Sequence, residues 1–188
     1  MTISLSTDMK RRYTDKEKSS ILRSMGVLAD TREQVWGHVK ASLEASNCPL
    51  ERGKLDQGDY TAFVPMNAFP EFCDVPGVYS LQDEVVIERK ANLDEIAGNF
   101  TTGRDRFERE FIRAKSKGIK VFLVVENASW ADIMSHNYRS QLSPKSLMGS
   151  LLSWQAKYNV TIVFCRPEET GRILYSTLYY WLKARLEE

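Results

Sequence analysis

The chain has 188 residues, 43% of them hydrophobic, which suits one domain of ordinary size and is short for two independent cores. Its 26 Lys and Arg against 25 Asp and Glu leave a formal charge of +1, so affinity for nucleic acid or an anionic membrane must come from local patches. Cys48, Cys73 and Cys165 are widely spaced without a Cys-x-x-Cys pair and are joined only by His38 and His136, which excludes a disulfide framework and leaves little to build a zinc site from.

Residues 1–12 form a polar tail without the apolar core of a signal peptide. Nowhere do the roughly 18 apolar residues of a membrane span run together, so a cytoplasmic protein with no membrane partner is expected. The tail ends in Lys10, Arg11 and Arg12, a basic run that could reach a phosphate but is more often simply solvated. Thr14-Asp15-Lys16-Glu17 has capping-box spacing and opens a short helix that turns Ile21, Leu22 and Met25 inward. Residues 1–23 are thus a tail and helix ahead of the main domain, 24–188.

Val27, Leu28 and Ala29 make a short strand that ends at Asp30, and from Glu33 to about Ser46 the residues Val35, Trp36, Val39 and Leu43 recur at helical spacing. Lys54 to Phe63 reads as a second strand carrying Gly58-Asp59-Tyr60, and Glu84 to Lys90, rich in β-branched residues, as a third. Between them residues 64–83 hold Pro65, Pro70, Pro76 and Gly77 and read as an inserted irregular loop or small subdomain. A helix from about Arg104 to Lys117 turns Phe107, Phe111 and Ala114 to one side, and Ile119 to Val125 is apolar enough for a central strand. Ser143-Pro144 is an N-cap followed by proline at the first helical position, ahead of Leu147, Leu151, Trp154 and Tyr158. Val160 to Cys165 is a fifth strand. A last helix, 168–186, aligns Leu174, Leu178, Trp181 and Leu182 below a rim of tyrosines, to pack on the sheet or on a partner.

Glu88 and Lys90 stand two positions apart on a strand, so they share one face while Arg89 points to the other. Carboxylates that hold Mg²⁺ or Mn²⁺ beside an ammonium suit hydrolysis of a phosphodiester, because hard cations take oxygen ligands and lower the pKa of bound water. Asp59 and Glu88 are the first candidates for metal ligands, and Asp30, at a strand end, can complete the acidic cluster. Lys90 would orient the attacking water and balance charge in the transition state. Glu33, one turn on from Asp30, would support them. Taken singly these pieces are weak: a chain this charged should contain roughly one Glu-x-Lys by chance, and Gly-Asp usually marks a turn.

Taken together and in order, Asp30-Thr31-Arg32-Glu33, Gly58-Asp59-Tyr60 and Ile87-Glu88-Arg89-Lys90 with Asp94 resemble the XPF-type structure-specific nuclease domain over about residues 24–165. The resemblance implies an α/β fold with a restriction-endonuclease-like core, a central mixed β-sheet flanked by helices. It implies a Mg²⁺- or Mn²⁺-dependent endonuclease that cuts branched, flapped or junction DNA, with Asp30, Asp59, Glu88 and Lys90 central, Glu33, Arg89 and Asp94 supporting, Arg32 near the substrate, and a homodimer possible. The insertion at 64–83 departs from compact members, and a tandem helix-hairpin-helix module is not expected within these residues. Its small form, with Tyr138-Arg139-Ser140 ahead of the Trp154 helix, resembles nucleases of bacteriophages and prophages.

From Arg104 to Lys120 seven basic residues face three acidic ones, so phosphate contact by Arg104 and Arg106 competes evenly with a merely solvated helix face. Tyr60 could stack on an unpaired base, although core packing suits its place in a strand better. His38 and His136 read as surface or helix-packing residues. Two rival functions stay open: a non-catalytic DNA-binding or scaffold subunit, and a nuclease for RNA or a fixed sequence.

Overall fold

The computed structural model describes residues 12–188, so Lys10 and Arg11 of the basic tail lie outside the described residues. Helix α1 (Asp15–Ser24) opens on the expected capping box of Thr14 and Glu17 and buries Ile21 and Leu22. Strand β1 (Gly26–Asp30) follows, then α2 (Gly37–Ala45), β2 (Leu50–Gly53) and β3 (Tyr60–Pro65). Residues 66–77 make two single 3-10 turns before β4 (Val78–Ser80) and β5 (Val85–Lys90). Then come α3 (Leu93–Thr101), α4 (Arg104–Ser116), β6 (Lys120–Glu126), α5 (Trp130–Met134), α6 (Pro144–Lys157), β7 (Val160–Cys165) and α7 (Pro167–Glu187).

The strands form one mixed sheet in the order β2-β1-β3-β5-β6-β7, with β4 beside β3. β1 runs parallel to β2, and β5, β6 and β7 run parallel to one another, while β3 is antiparallel to β1, β4 and β5. The C-terminal ends of β1, β5 and β6 and the first residue of β3 therefore meet at one edge. Leu174, Leu178 and Leu182 of α7 and Val39 and Leu43 of α2 fill one side with the side chains of α1. Phe107, Phe111, Leu147, Leu151 and Trp154, from α4 and α6, fill the other. The fold is thus the expected α/β sandwich around a mixed sheet.

Two expectations need correction, and three elements went unread. The helix begins at Gly37, not Glu33, and Val35 is 72% exposed rather than turned inward. Side chains capture the carbonyls such a first turn would use: Arg52 Nη2 donates to the carbonyls of Asp30, Thr31 and Glu33 at 2.8–3.0 Å, and Arg89 Nη2 donates to that of Val35 at 2.7 Å. The strand expected from Lys54 starts only at Tyr60, because residues 54–59 cross beneath Asp30 and Gly58 takes a φ of 73°. β2 escaped notice because its four residues are polar or half-exposed, and only pairing with β1 makes them a strand. α3 and α5 also escaped, although Asn92 caps α3 and Leu93, Ile96, Ala97 and Phe100 bury its one face at helical spacing.

The segment 64–83 packs into the main core through Met66, Phe69, Tyr79 and Leu81, against α1. The apolar face of α7 is consumed inside the chain, chiefly against α2, where Gly171 lets the helices touch: a Cβ there would stand 2.5 Å from that of Ser42. Cys48, Cys73 and Cys165 are all free thiols. Among the described residues no helix is long and apolar enough to cross a membrane.

Candidate active site

At this edge of the sheet Glu88 and Lys90 project from the same face of β5, and Lys90 Nζ donates to Glu88 Oε1 at 2.8 Å. Glu95, in the first turn of α3, lies 3.5 Å from the same ammonium, and the ring of Phe107 lies beneath it at 5.0 Å. Burial opposes the charge on Lys90, but Glu88 and Glu95 outweigh it and hold the pKa above the ordinary value.

Asp59 enters from the neighbouring strand. Its N–H donates to the Ile87 carbonyl at 2.8 Å, and its Oδ2 accepts the Arg89 N–H at 2.7 Å, so the carboxylate replaces a carbonyl in the β3–β5 ladder. Gly58 makes that approach possible, because a Cβ there would lie 2.8 Å from that of Val86 and the left-handed φ disfavours any side chain. Burial, then the charge of Glu88, pushes the Asp59 carboxyl up to about 8. The two acids at this edge therefore repel one another in a half-dry site.

Asp30 is placed differently. It is 1% exposed and accepts four donors: Arg32 N at 2.6 Å and Arg32 Nε at 2.8 Å on Oδ1, Arg32 Nη2 at 2.9 Å and Leu55 N at 2.7 Å on Oδ2. Burial works against its charge, but Arg32 and Leu55 more than compensate and lower its pKa. All four lone-pair directions are taken, so Asp30 holds the loop of Leu55 in place and steadies Arg32, whose side chain is 64% exposed at the rim of the site.

Beneath β5 the Arg89 side chain enters a buried network through its two terminal nitrogens, while its Nε has no hydrogen-bond partner among the described residues. It donates to Glu126 Oε2 at 2.8 Å, to Glu33 Oε1 at 3.0 Å and to the Val35 carbonyl, and its own side chain is 6% exposed. Thr170 of α7 donates to Glu126 Oε1 at 2.6 Å, and His38 Nε2 lies 2.7 Å from the same oxygen. His38 is therefore a member of this network, which corrects its reading as a surface or packing residue. Tyr60 is 0% exposed, so it is core and cannot stack on a base.

The ERCC4 domain matches the chain over residues 29–177. The chain belongs to the ERCC4 domain family. Its structure is similar to that of XPF from Aeropyrum pernix, with a TM-score of 0.58 and 20% identity over 82% of this chain and 60% of that one. XPF from Aeropyrum pernix in complex with DNA is similar at a TM-score of 0.58 and 21% identity, over 86% of this chain and 67% of that one. The chain thus spans about 60% of the length of the first of these structures. A search of curated proteins finds no match.

In this ERCC4 domain Asp94 turns away from the Glu88 cluster and accepts the N–H groups of Arg139 and Ser140 at 2.7 and 3.0 Å. Arg104 and Arg106 are exposed on the first turn of α4. The same helix brings in an acid that the motifs did not single out. Glu110 lines a cavity with Glu88, Gln57, Gly58 and Phe111, and burial, followed by the charge of Glu88, raises its pKa. Its only sequence signal is three-residue spacing from Phe107, one turn away on α4, which marks it as near the core face.

Among the described residues no three His, Cys, Asp or Glu side chains converge as a ready ligand set. A pair of carboxylates suits Mg²⁺ or Mn²⁺, since Mg²⁺ commonly uses one or two carboxylates and completes its shell with water and phosphate. Asp59 and Glu88, two acids that repel one another on adjacent strands, are the pair that fits.

Proposed function

We propose that this ERCC4 domain is a divalent-metal-dependent endonuclease that hydrolyses phosphodiester bonds in DNA, at flaps, branches or junctions of duplex and single strand. The observation that carries the reading is the meeting of Asp59, Glu88 and Lys90 on adjacent strands, with the two acids in repulsion and the ammonium 2.8 Å from one of them. Family membership and the likeness to an XPF bound to DNA support it.

Asp59 and Glu88 would hold Mg²⁺ or Mn²⁺, which supplies a Lewis acid and a more acidic water. Lys90, fixed by Glu88 and Glu95, sits ready to orient the attacking water and to offset charge gathering on the phosphoryl oxygens. Asp59 is held by the Arg89 N–H, and the Arg89 side chain is locked from below, so the network of Glu33 and Glu126 fixes the strand that carries the reacting groups. Arg32 at the rim, and the exposed Arg104 and Arg106 on α4, would meet phosphates of the DNA. Asp30 acts by positioning Arg32 and Leu55, with its oxygens already occupied. Self-association would use a surface other than the inner face of α7, and sedimentation velocity tests for it.

Cleavage of end-labelled flap, splayed-arm, single-stranded and duplex DNA with Mg²⁺ or Mn²⁺ tests the reading. Metal-dependent cutting is expected from the wild type and not from Asp59→Ala or Lys90→Ala. DNA binding without cutting under any of these conditions would replace the reading with a non-catalytic subunit.

A further inference from the structure

The catalytic edge carries an arginine that the chemistry above does not use. Asp94 stands in the first turn of α3, where its Oδ1 accepts the N–H of Arg139 and of Ser140 and its Oδ2 accepts Arg139 Nε at 3.0 Å. The segment it grips, between α5 and α6, is built around its own bonds. Asn137 donates its N–H to the Asp132 carbonyl and its Nδ2 to the Asp132 carboxylate, both at 2.8 Å. His136 turns the chain with a φ of 57° and lies against Tyr138 at 4.4 Å, and the Tyr138 hydroxyl donates to the Leu142 carbonyl at 2.8 Å.

The topology puts this segment beside the site. Val125 of β6 pairs with Lys90, and Asn127, just past the end of β6, donates Nδ2 to the Ala91 carbonyl at 3.3 Å. Adjacent carboxylates of one helical turn thus hold two cations: Glu95 lies 3.5 Å from Lys90, and Asp94 lies 3.0 Å from Arg139.

The Arg139 side chain is 91% exposed. An ion pair so exposed adds almost nothing to stability, so folding does not account for the guanidinium. Asp94 takes the backbone N–H and Nε, and among the described residues the two terminal nitrogens have no partner. Those nitrogens are the fork that binds a phosphate bidentately. With the backbone and Nε already fixed, less rotamer freedom is lost when that fork closes.

We infer that Arg139 is a phosphate contact for the DNA strand entering the catalytic edge, and that Asp94 is the positioning residue that aims it. The inference rests on the nuclease reading above and gives Asp94 a part in grip rather than in bond cleavage. It is tested by the anisotropy of a fluorescein-labelled splayed-arm DNA, titrated in EDTA from about 50 to about 200 mM salt. Arg139→Ala is expected to bind several-fold more weakly and to lower the slope of log affinity against log salt by about 0.7 to 0.9, the share of one phosphate. Arg139→Lys keeps the charge, so the slope returns while part of the affinity loss remains. Lys183→Ala, on the last turns of α7 away from that edge, keeps the wild-type slope. Asp94→Ala is expected to weaken binding only where Arg139 is present, which a double-mutant cycle reads. Wild-type affinity and slope in Arg139→Ala would overturn the contact, and an equal loss from Asp94→Ala in both backgrounds would overturn the positioning role. If the wild type cuts DNA while Arg139→Ala matches it, this inference alone fails; if the wild type neither binds nor cuts DNA, the nuclease reading fails with it.

Discussion

The two sides of β5 differ in how their charged groups are paired. Below the sheet, Arg89 meets Glu33, Glu126 and the Val35 carbonyl, with Thr170 and His38 closing the far side of Glu126. Above it, one residue either way along the chain, Glu88 and Lys90 pair with one another, and Asp59 is acted on more strongly by the charge of Glu88 than by that of Lys90. The closed side gives rigidity, because Glu33 and Glu126 share one buried guanidinium through fixed bonds, although its Nε has no hydrogen-bond partner among the described residues. The open side keeps its charges in partial imbalance, which is what a site needs if substrate and metal are to complete it.

Breaking the closed side should have the largest effect on the fold. Glu126→Ala leaves Arg89 buried with one carboxylate and is expected to cost about 3–5 kcal/mol in urea unfolding, as loss of one partner of a buried pair does. On the open side the ranking reverses. Lys90→Ala is expected to lower the rate of DNA cleavage about 10²–10³-fold, as removal of a preorganised charge does, and to shift the urea midpoint far less than Glu126→Ala.

Acidity sharpens the contrast further. The Asp59 carboxyl is raised from 3.8 to about 8, so between those values the folded protein binds more protons than the unfolded one. The stabilisation from this group is full below the unfolded value and is lost as pH rises through the folded one. Metal-free protein is therefore expected to melt at progressively lower temperature from about pH 4 to about pH 8, and Asp59→Asn to flatten that part of the profile. An unchanged profile in Asp59→Asn would show that the open side is not under charge strain. The smallest effect belongs to Val35, which serves the network through its carbonyl while its side chain is 72% exposed. Val35→Thr should move the unfolding free energy by no more than about 0.5 kcal/mol.

How much was legible in the sequence divides along the same line. Glu88, Arg89 and Lys90 on a β-branched run state by alternation alone that the arginine faces away from the other two, and this is how β5 stands. The caps of α1 and α6, and the apolar faces of α4, α6 and α7, are also local, so spacing revealed them. The misread start of α2 is different, because the carbonyls of Asp30, Thr31, Glu33 and Val35 go to Arg52 and Arg89, donors that are 19 or more positions away. Asp30 shows the same limit: strand-end placement marks it as a candidate ligand, and only the fold brings Leu55 N–H to its second oxygen.

By itself the sequence determined which segments are apolar on one face, where helices cap, and which acids and cations share a strand, since these depend on the 3.6 and 2.0 periods of the backbone. Tertiary structure decided the partners. It brought Asp59 against Glu88, His38 and Thr170 onto Glu126, Glu110 to the cavity beside Glu88, and Asp94 onto Arg139. These pairings join residues far apart in the chain, and hydrogen bonds and charges act over a few ångströms whatever the separation in sequence.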